Sequence, residues 1–465
     1  MNVLYNMKFG LVGVVLLSLQ SCFVAKDYEQ PEVIEEANYR TDELDKDSLN
    51  MATVSWKDMF TDPILQDYIS KGLENNIDIR VAMQQINAAE AYVKQGKAGY
   101  LPTLGANATF THQELSQNSQ FGSLFSSLDQ YQLSADLSWE ADIWGKIRSR
   151  KRAFDARYLQ SIAAHQAVKT RLISDIASTY YQLLTLDEQI AITERTVETR
   201  ANSLETTKAL KEAGTLTEVG VQQTEAQLYT AKAILIDLKN EARLLENTLS
   251  ILLGEAPMLI ERSNLDEQEI TTDLNIGVPV QLLRNRPDVI AAEYNLVNAF
   301  ELTNVAKSNF YPSLTLSATG GLQALDKGDL FDPNSLFATV IGGLAQPILN
   351  GRAIRTEYEV SQAEQEQARL EFRRAILTAS KEVSDAMYSY EAASEKIDVK
   401  QKEFHAYDLA TDYSEELLNN GLANYLEVLT ARQNALNSSL DLANAKYNQL
   451  KSIVDLYEAL GGGWN

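Results

Sequence analysis

Few residues in this 465-residue chain are of the types that carry out chemistry, and their spacing limits what that chemistry can be. The three histidines, His112, His165 and His405, and the single cysteine, Cys22, lie far apart. That spacing fits neither a zinc site nor a disulfide framework. No nucleophile-base-acid arrangement, phosphate loop or metal motif emerges, so the expectation is a protein that is not an enzyme and needs no cofactor. With 41 Lys and Arg against 64 Asp and Glu, the formal net charge is −23. Nucleic acid is thereby excluded as the main partner, because phosphate binding needs a basic face. Hydrophobic residues at 45% and charged residues at 23% allow a sizeable core and exclude a polytopic helical membrane protein.

Cys22 stands out by its position. Lys8 supplies positive charge, residues 9–19 form an apolar run of signal-peptide length, and the small Ser21 stands just before the cysteine. A buried free thiol is one reading of Cys22. The order Leu19-Gln20-Ser21-Cys22 favours another, since it resembles the lipobox of bacterial lipoproteins, in which the cysteine becomes the first mature residue and is diacylated. Residues 1–21 then form the signal peptide. A lipidated terminus holds a protein at a membrane more firmly when a second contact exists. No other apolar run approaches the ~18–20 residues of a spanning helix, so further membrane contact must come from strands or an interfacial face.

The elements around these residues are set by where helix breakers are missing. Residues 146–213 and 352–420 contain neither Pro nor Gly. If helical, each would reach about 100 Å at ~1.5 Å per residue. Each ends at one glycine, Gly214 or Gly421, followed by a second long segment, 215–253 or 422–460. The series Val221, Thr224, Leu228, Ala231, Leu235, Leu238 and Phe372, Ile376, Ala379, Val383, Ala386, Tyr390 follow the 3/4 spacing of a coiled-coil seam. Thr224 and Lys400 are polar interruptions. The two hairpins are copies: Gly214, Val221 and Leu253 align with Gly421, Val428 and Leu460 at an offset of 207. Upstream, Tyr100-Leu101-Pro102 matches Phe310-Tyr311-Pro312, and Ile143-Trp144-Gly145-Lys146 matches Leu349-Asn350-Gly351-Arg352. The unit is a tandem repeat of about 200 residues, far longer than a solenoid repeat.

Before each long helix the period changes to two. Leu104, Ala106, Ala108 and Phe110 alternate with polar residues, as do Leu133, Ala135, Leu137 and Trp139. The second copy repeats this less cleanly, with Leu314, Leu316 and Ala318, then residues 336–347. Each segment is ~10 residues, the length of a tilted membrane strand, and Tyr131, Trp139, Phe310, Tyr311 and Phe337 are candidates for interfacial girdles. Four strands cannot close a membrane barrel, so a chain that inserts them must oligomerise.

The sequence resembles the TolC-like outer-membrane efflux channel family, in particular its lipoprotein branch partnering resistance-nodulation-division pumps. The carriers are Arg286-Pro287-Asp288-Val289, Ala292-Glu293 and Phe310-Tyr311-Pro312-Ser313-Leu314, with Trp139-Glu140-Ala141-Asp142-Ile143-Trp144-Gly145, Gln346-Pro347-Ile348-Leu349-Asn350-Gly351 and residues 421–429 in support. The resemblance implies a mainly α fold with a small β part: a homotrimer whose strands form one 12-stranded barrel and whose long helices form a periplasmic tunnel. It implies the exit duct of a tripartite pump, in the outer membrane and extending into the periplasm, with a periplasmic adaptor and an inner-membrane pump as partners. The chain divides accordingly into 22–99 (lipidated terminus and first helices), 100–255 (first repeat), 256–308 (equatorial connection) and 309–465 (second repeat).

Within that frame, Gly214 and Gly421 mark the tips for adaptor docking. By the resemblance, Glu427 and Leu429 are gate candidates, while Thr430 stands where some relatives carry a second acid. Glu427 also reads as one more exposed helix carboxylate. Lys146, Arg148, Arg150, Lys151 and Arg152 crowd a helix start, where cations are unfavourable, and are candidates for contact with lipid headgroups; a solvated face is the other reading. Arg286-Pro287-Asp288 reads on its own as a helix start. The competing function is a structural or adhesive coiled-coil lipoprotein without a pore, which has no need of amphipathic strand hairpins.

Overall fold

The computed structural model describes residues 25–31, 54–120, 122, 124, 126–268 and 285–464. The leader and Cys22 lie outside the described residues, as does most of the connection before Arg286. The chain forms two compact units: unit 1 from Met1–Glu32, Ile86–Ser161 and Ala292–Phe372, and unit 2 from Val33–Gln85, Ile162–Ala291 and Arg373–Asn465.

In chain order the elements are α1 (Trp56–Met59), α2 (Pro63–Asn75), α3 (Ile77–Ala98), β1 (Thr103–Glu114), β2 (Ser127–Ala141), α4 (Lys146–Glu212), α5 (Glu218–Leu252), α6 (Pro287–Ser308), β3 (Ser313–Ala324), β4 (Leu336–Ala345), α7 (Ala353–Asn419) and α8 (Tyr425–Ala459). The stretches lacking Pro and Gly are helical throughout: α4 and α7 have 67 residues each, α5 and α8 have 35 each. No helix among the described residues is long and apolar enough to cross a membrane.

In unit 1 the strands form one antiparallel sheet in the order β1-β2-β3-β4, so β1 and β4 each have an edge unpaired within the chain. The register sorts the side chains by face. Leu104, Leu137, Ala318 and Val340 make one row across the sheet, and Ala108, Leu133, Leu322 and Leu336 make another. The opposite face carries Gly105, Asp136, Thr319 and Thr339 in one row, with Asp136 accepting from Thr319 at 2.6 Å and bonded to Asn107. Phe110 packs on Tyr131 at 4.9 Å at one end of the apolar face. Toward the other end of β2, Trp139 donates its indole N–H to the Tyr100 carbonyl at 3.0 Å. Tyr131 and Trp139 are separated by about 27 Å of strand, enough for an apolar band once the strand is tilted.

Phe337 departs from expectation. Strand β4 begins at Leu336, so alternation puts Leu336, Ala338 and Val340 on the apolar face and Phe337 on the polar one, opposite Gly321. Backbone from β2 crowds Gly321 so closely that a side chain there would collide with the Leu133 carbonyl. Phe337 therefore does not share a face of the sheet with Phe110 and Tyr131.

The copies also differ in register at one point. Gly145 (φ 79°) leads directly into α4, whereas Gly351 (φ 61°) is followed by Arg352, itself left-handed at φ 71°, before α7 begins. Lys146 is thus the first helical residue of its copy and Arg352 an extra one, which accounts for the offset changing from 206 between Gly145 and Gly351 to 207 between Gly214 and Gly421.

The core of unit 2 gathers α1 and α2 onto α4, α5 and α8. Met59, Phe60, Leu65, Ile69, Ile173, Ile176, Leu249 and Val454 are all at or near zero exposure. Phe60 meets Tyr457 edge-on at 5.9 Å and Tyr181 at 6.5 Å. Burying such side chains stabilises by about 1.5–3 kcal/mol each. Asp62 caps α2, accepting from Ile64 N–H at 2.8 Å, with Pro63 at the first helical position. Burial would raise the Asp62 pKa, but hydrogen bonds from Ser263, Tyr180, the Ile64 N–H and Gln268 outweigh it and the carboxyl titrates below its ordinary value.

Candidate functional site

The tip of each helical hairpin is built by a left-handed glycine. At Gly214 (φ 76°) and Gly421 (φ 71°) a side chain would be strained, and each ends its helix with paired bonds back into the last turn. These run from Gly214 and Thr215 N–H to Lys211 and Leu210 carbonyls, and from Gly421 and Leu422 N–H to Leu418 and Leu417 carbonyls.

Three residues beyond the second tip, Asn424 caps α8. Its side chain accepts from the Glu427 N–H at 3.1 Å and donates back to the Glu427 carboxylate at 2.8 Å. Glu427 is exposed, and a cap role accounts for it at least in part. Leu429 is 3% exposed. It is enclosed within its own chain, in one row with the buried Leu436 and Ala443, which does not fit the expectation that it faces a constriction.

Below the tips a polar lattice joins the hairpins of unit 2. Arg432 on α8 pairs with Glu415 on α7 at 2.7 Å and bonds Ser203 on α4. Arg200 on α4, 2% exposed, donates to the Gln227 carbonyl on α5 at 2.7 Å and to Gln433 on α8 at 3.0 Å. Burial and then the neighbouring charge of Arg432 lower the Arg200 pKa. The polar interruptions of the seams are ties of the same kind. Thr224 donates to the Tyr425 hydroxyl at 2.8 Å, and Lys400 bridges Glu403 at 2.8 Å and Asp441 at 2.9 Å. Between the hairpins lies a cavity of about 710 Å³ walled by Ser203, Thr207, Leu216, Tyr425 and Arg432 among others.

The basic cluster in unit 1 is satisfied from inside to a degree that composition does not reveal. Lys146 pairs with Glu140 at 3.1 Å, Lys151 with Asp155 at 2.6 Å, and Arg152 with Asp27 and Glu301, both at 2.9 Å. Asp142 accepts from the backbone N–H of Ile147 and Arg148, each at 2.9 Å, and so supplies the negative charge the helix start favours. Arg150 is exposed. In the second copy Arg352 and Arg355 both pair with Glu359, at 2.8 and 3.0 Å.

Two arginines have partners that sequence reasoning did not reach. Arg286, 7% exposed, chelates Asp288 at 2.7 Å, pairs with Glu382 on α7 at 2.6 Å and donates to the Ala459 carbonyl at the end of α8 at 3.1 Å. It therefore neutralises a helix C-terminus as well as starting α6. The Arg286-Pro287-Asp288 motif pointed to the position but not to the partners. Arg262 joins Asp187 at 2.9 Å and Glu246 at 2.6 Å, with no local motif to announce it. Among the described residues no group of His, Cys, Asp and Glu is placed to hold a metal ion.

Long helical hairpins attached to a sheet with one apolar face define the class: a channel protein of the outer-membrane efflux type. The profile described as "Outer membrane efflux protein" matches residues 68–255 and 278–462. The chain belongs to the outer membrane efflux protein family. It is 28% identical over 468 residues to the solvent efflux pump outer membrane protein SrpC of Pseudomonas putida, covering 99% of each chain. It is 24% identical to the cation efflux system protein CusC of Escherichia coli, covering 97% of each. Among solved structures, the outer-membrane channel OprN superposes with a TM-score of 0.86 at 25% identity, over 95% of this chain and 100% of that one. A CusC structure gives 0.84 at 23% identity over the same shares. The protein is an outer-membrane efflux channel that extends into the periplasm, a transport duct and not an enzyme.

Proposed function

We propose that three copies of this chain form one gated exit duct of a tripartite efflux pump, anchored by a lipid on Cys22 and conducting small molecules such as drugs or metal ions outward. The observation that carries this reading is the sheet of unit 1: an apolar face, a polar face, and two unpaired edges on β1 and β4. An open edge is untenable in lipid, and three four-stranded sheets joined edge to edge close at 12 strands. The matched lengths of α4 with α7 and α5 with α8 support a tandem duplication, and the long helices suit a tunnel. The expected result is heat-modifiable trimers in the outer-membrane fraction that carry ion current after reconstitution. A monomer without current overturns the proposal.

The tips around Gly214 and Gly421 dock the helical hairpin of a periplasmic adaptor, helix against groove, and the adaptor links the duct to an inner-membrane resistance-nodulation-division pump. Glu427 contributes a ring of three carboxylates to the gate, and the cations Lys146, Arg148, Arg150, Lys151 and Arg152 form a collar at the headgroups, with the exposed Arg150 foremost. Opening requires a partner that binds the open arrangement better. It also requires release of the Arg432–Ser203, Arg200–Gln433 and Thr224–Tyr425 ties between hairpins. Glu427→Ala is expected to raise closed-state conductance in planar bilayers. Glu427→Gln keeps the cap geometry and removes only charge, so an unaltered current in both variants takes Glu427 out of the gate.

A further inference from the structure

We infer that the segment just after the anchor cysteine is clamped onto unit 1, so that the lipid fixes the depth of the bilayer on the protein instead of trailing as a loose tether. The anchor half of this inference rests on the reading of Cys22 as acylated. Asn304 on α6 grips the backbone of Lys26 from both sides: the Lys26 N–H donates to its Oδ1 at 3.3 Å, and its Nδ2 donates to the Lys26 carbonyl at 3.0 Å. A side-chain amide so placed pairs with the segment as a neighbouring strand would. At the next residue, Arg152 on α4 holds Asp27 at 2.9 Å while its Nε lies 2.9 Å from Glu301, whose side chain is 3% exposed. Asp27 is 91% exposed, so that pair alone is weak; Arg152, however, is fixed by the buried carboxylate before the segment arrives. Tyr28 then meets Phe300 edge-on at 5.7 Å, with its hydroxyl buried and lacking a hydrogen-bond partner. The tyrosine contributes packing, and register comes from Asn304.

Three residues separate Cys22 from Lys26, and the four backbone steps between them span at most about 14 Å. Asn304 lies just before the end of α6 at Ser308, ahead of β3, and Arg152 just after the start of α4 at Lys146, behind β2. The clamp therefore sits beside the helix-connected ends of the strands, the same boundary that the apolar rows of the sheet define. Two independent attachments to one rigid body raise the effective concentration of each for the membrane.

The test is tryptic cleavage after Lys26 in full-length protein purified in detergent, with the acyl state of Cys22 read by mass spectrometry on the same sample. Loss of two hydrogen bonds in Asn304→Leu should speed cleavage about tenfold or more. Tyr28→Ala, which removes the edge-on packing against Phe300 and leaves both residues of the cleaved bond unchanged, should speed it about two- to threefold. Equal rates in wild type and both variants overturn the clamp. Inserting about eight Gly/Ser residues after Phe23 should leave Lys26 protected yet at least halve the trimer in the outer-membrane fraction. Unchanged trimer overturns the depth-setting role. An unacylated Cys22 with Lys26 still protected overturns the anchor half and leaves the clamp standing.

Discussion

The two copies within the chain share lengths and turns but not surroundings. In the first, α4 buries Leu172, Ile173, Ile176, Leu183 and Leu184 while α5 shows an exposed apolar row, Tyr229, Ile236, Leu244 and Ile251. In the second the order reverses: α7 carries the exposed row, Leu377, Tyr388 and Val399, and α8 holds the core residues Val454, Leu456 and Tyr457. The sheet behaves alike, with the outer strand first in one copy and last in the other. A duplicated sequence that folds on itself must place one copy's second element beside the other's first. What remains outside is an edge from each copy, apolar and unsatisfied. Exposed large apolar side chains recurring along one helix face suit a surface that meets another helix.

The largest expected effect comes from breaking the distinction between the sheet's faces. Val340 and Thr339 are neighbours on β4, one in the apolar row with Ala318 and one in the polar row with Thr319. Val340→Arg puts a charge toward lipid near mid-strand, costing about 2–4 kcal/mol per chain, and should abolish trimers in the membrane fraction. Thr339→Arg should assemble normally and alter only conductance. Equal damage from both would mean that the apolar face is not the lipid face.

Periodicity alone made the helices, the strand faces and the glycine turns legible, because each depends on local pattern. What it could not reach depends on the partner across a contact. Thr224 and Lys400 looked like flaws in apolar seams and are ties between helices. The five cations after β2 looked like a membrane collar, but Lys146, Lys151 and Arg152 answer acids from as far along the chain as Asp27 and Glu301. Leu429 took its gate assignment from resemblance, whereas its burial follows from a row at seven-residue spacing with Leu436, Ala443 and Leu450, all buried. Arg286 sat in a quoted motif, yet nothing nearby in sequence pointed to Glu382 or the end of α8.

A smaller effect separates the copies through one titratable residue. Glu458 on α8 stands where the first copy has Ile251, which is 65% exposed. Burial, with the nearby charge of Asp175 adding to it, pushes the Glu458 carboxyl up to about 7. A carboxyl raised above its unfolded value of about 4.3 destabilises the fold once ionised. The penalty is absent below about pH 4, grows between there and pH 7, and is complete above. Glu458→Gln should therefore stabilise the protein by about 1–2 kcal/mol at pH 8 and by nothing at pH 4. Thermal unfolding in detergent at both values decides it; a gain independent of pH would point to packing instead of charge.

The smallest effect lies at the tips, where equivalent positions differ in capping. Thr217 precedes α5 without a side-chain cap bond, whereas Asn424 precedes α8 and exchanges two bonds with Glu427. Asn424→Ala should loosen the second tip by about 1 kcal/mol, seen as roughly fivefold faster amide exchange over the first turn of α8. Thr217→Ala should change the first tip by a few tenths at most. If the second tip is part of the gate, its extra order holds the closed arrangement, and Asn424→Ala should raise resting conductance while Thr217→Ala leaves it alone. Faster exchange without a change in conductance would separate the cap from the gate and leave Glu427 with only a structural task.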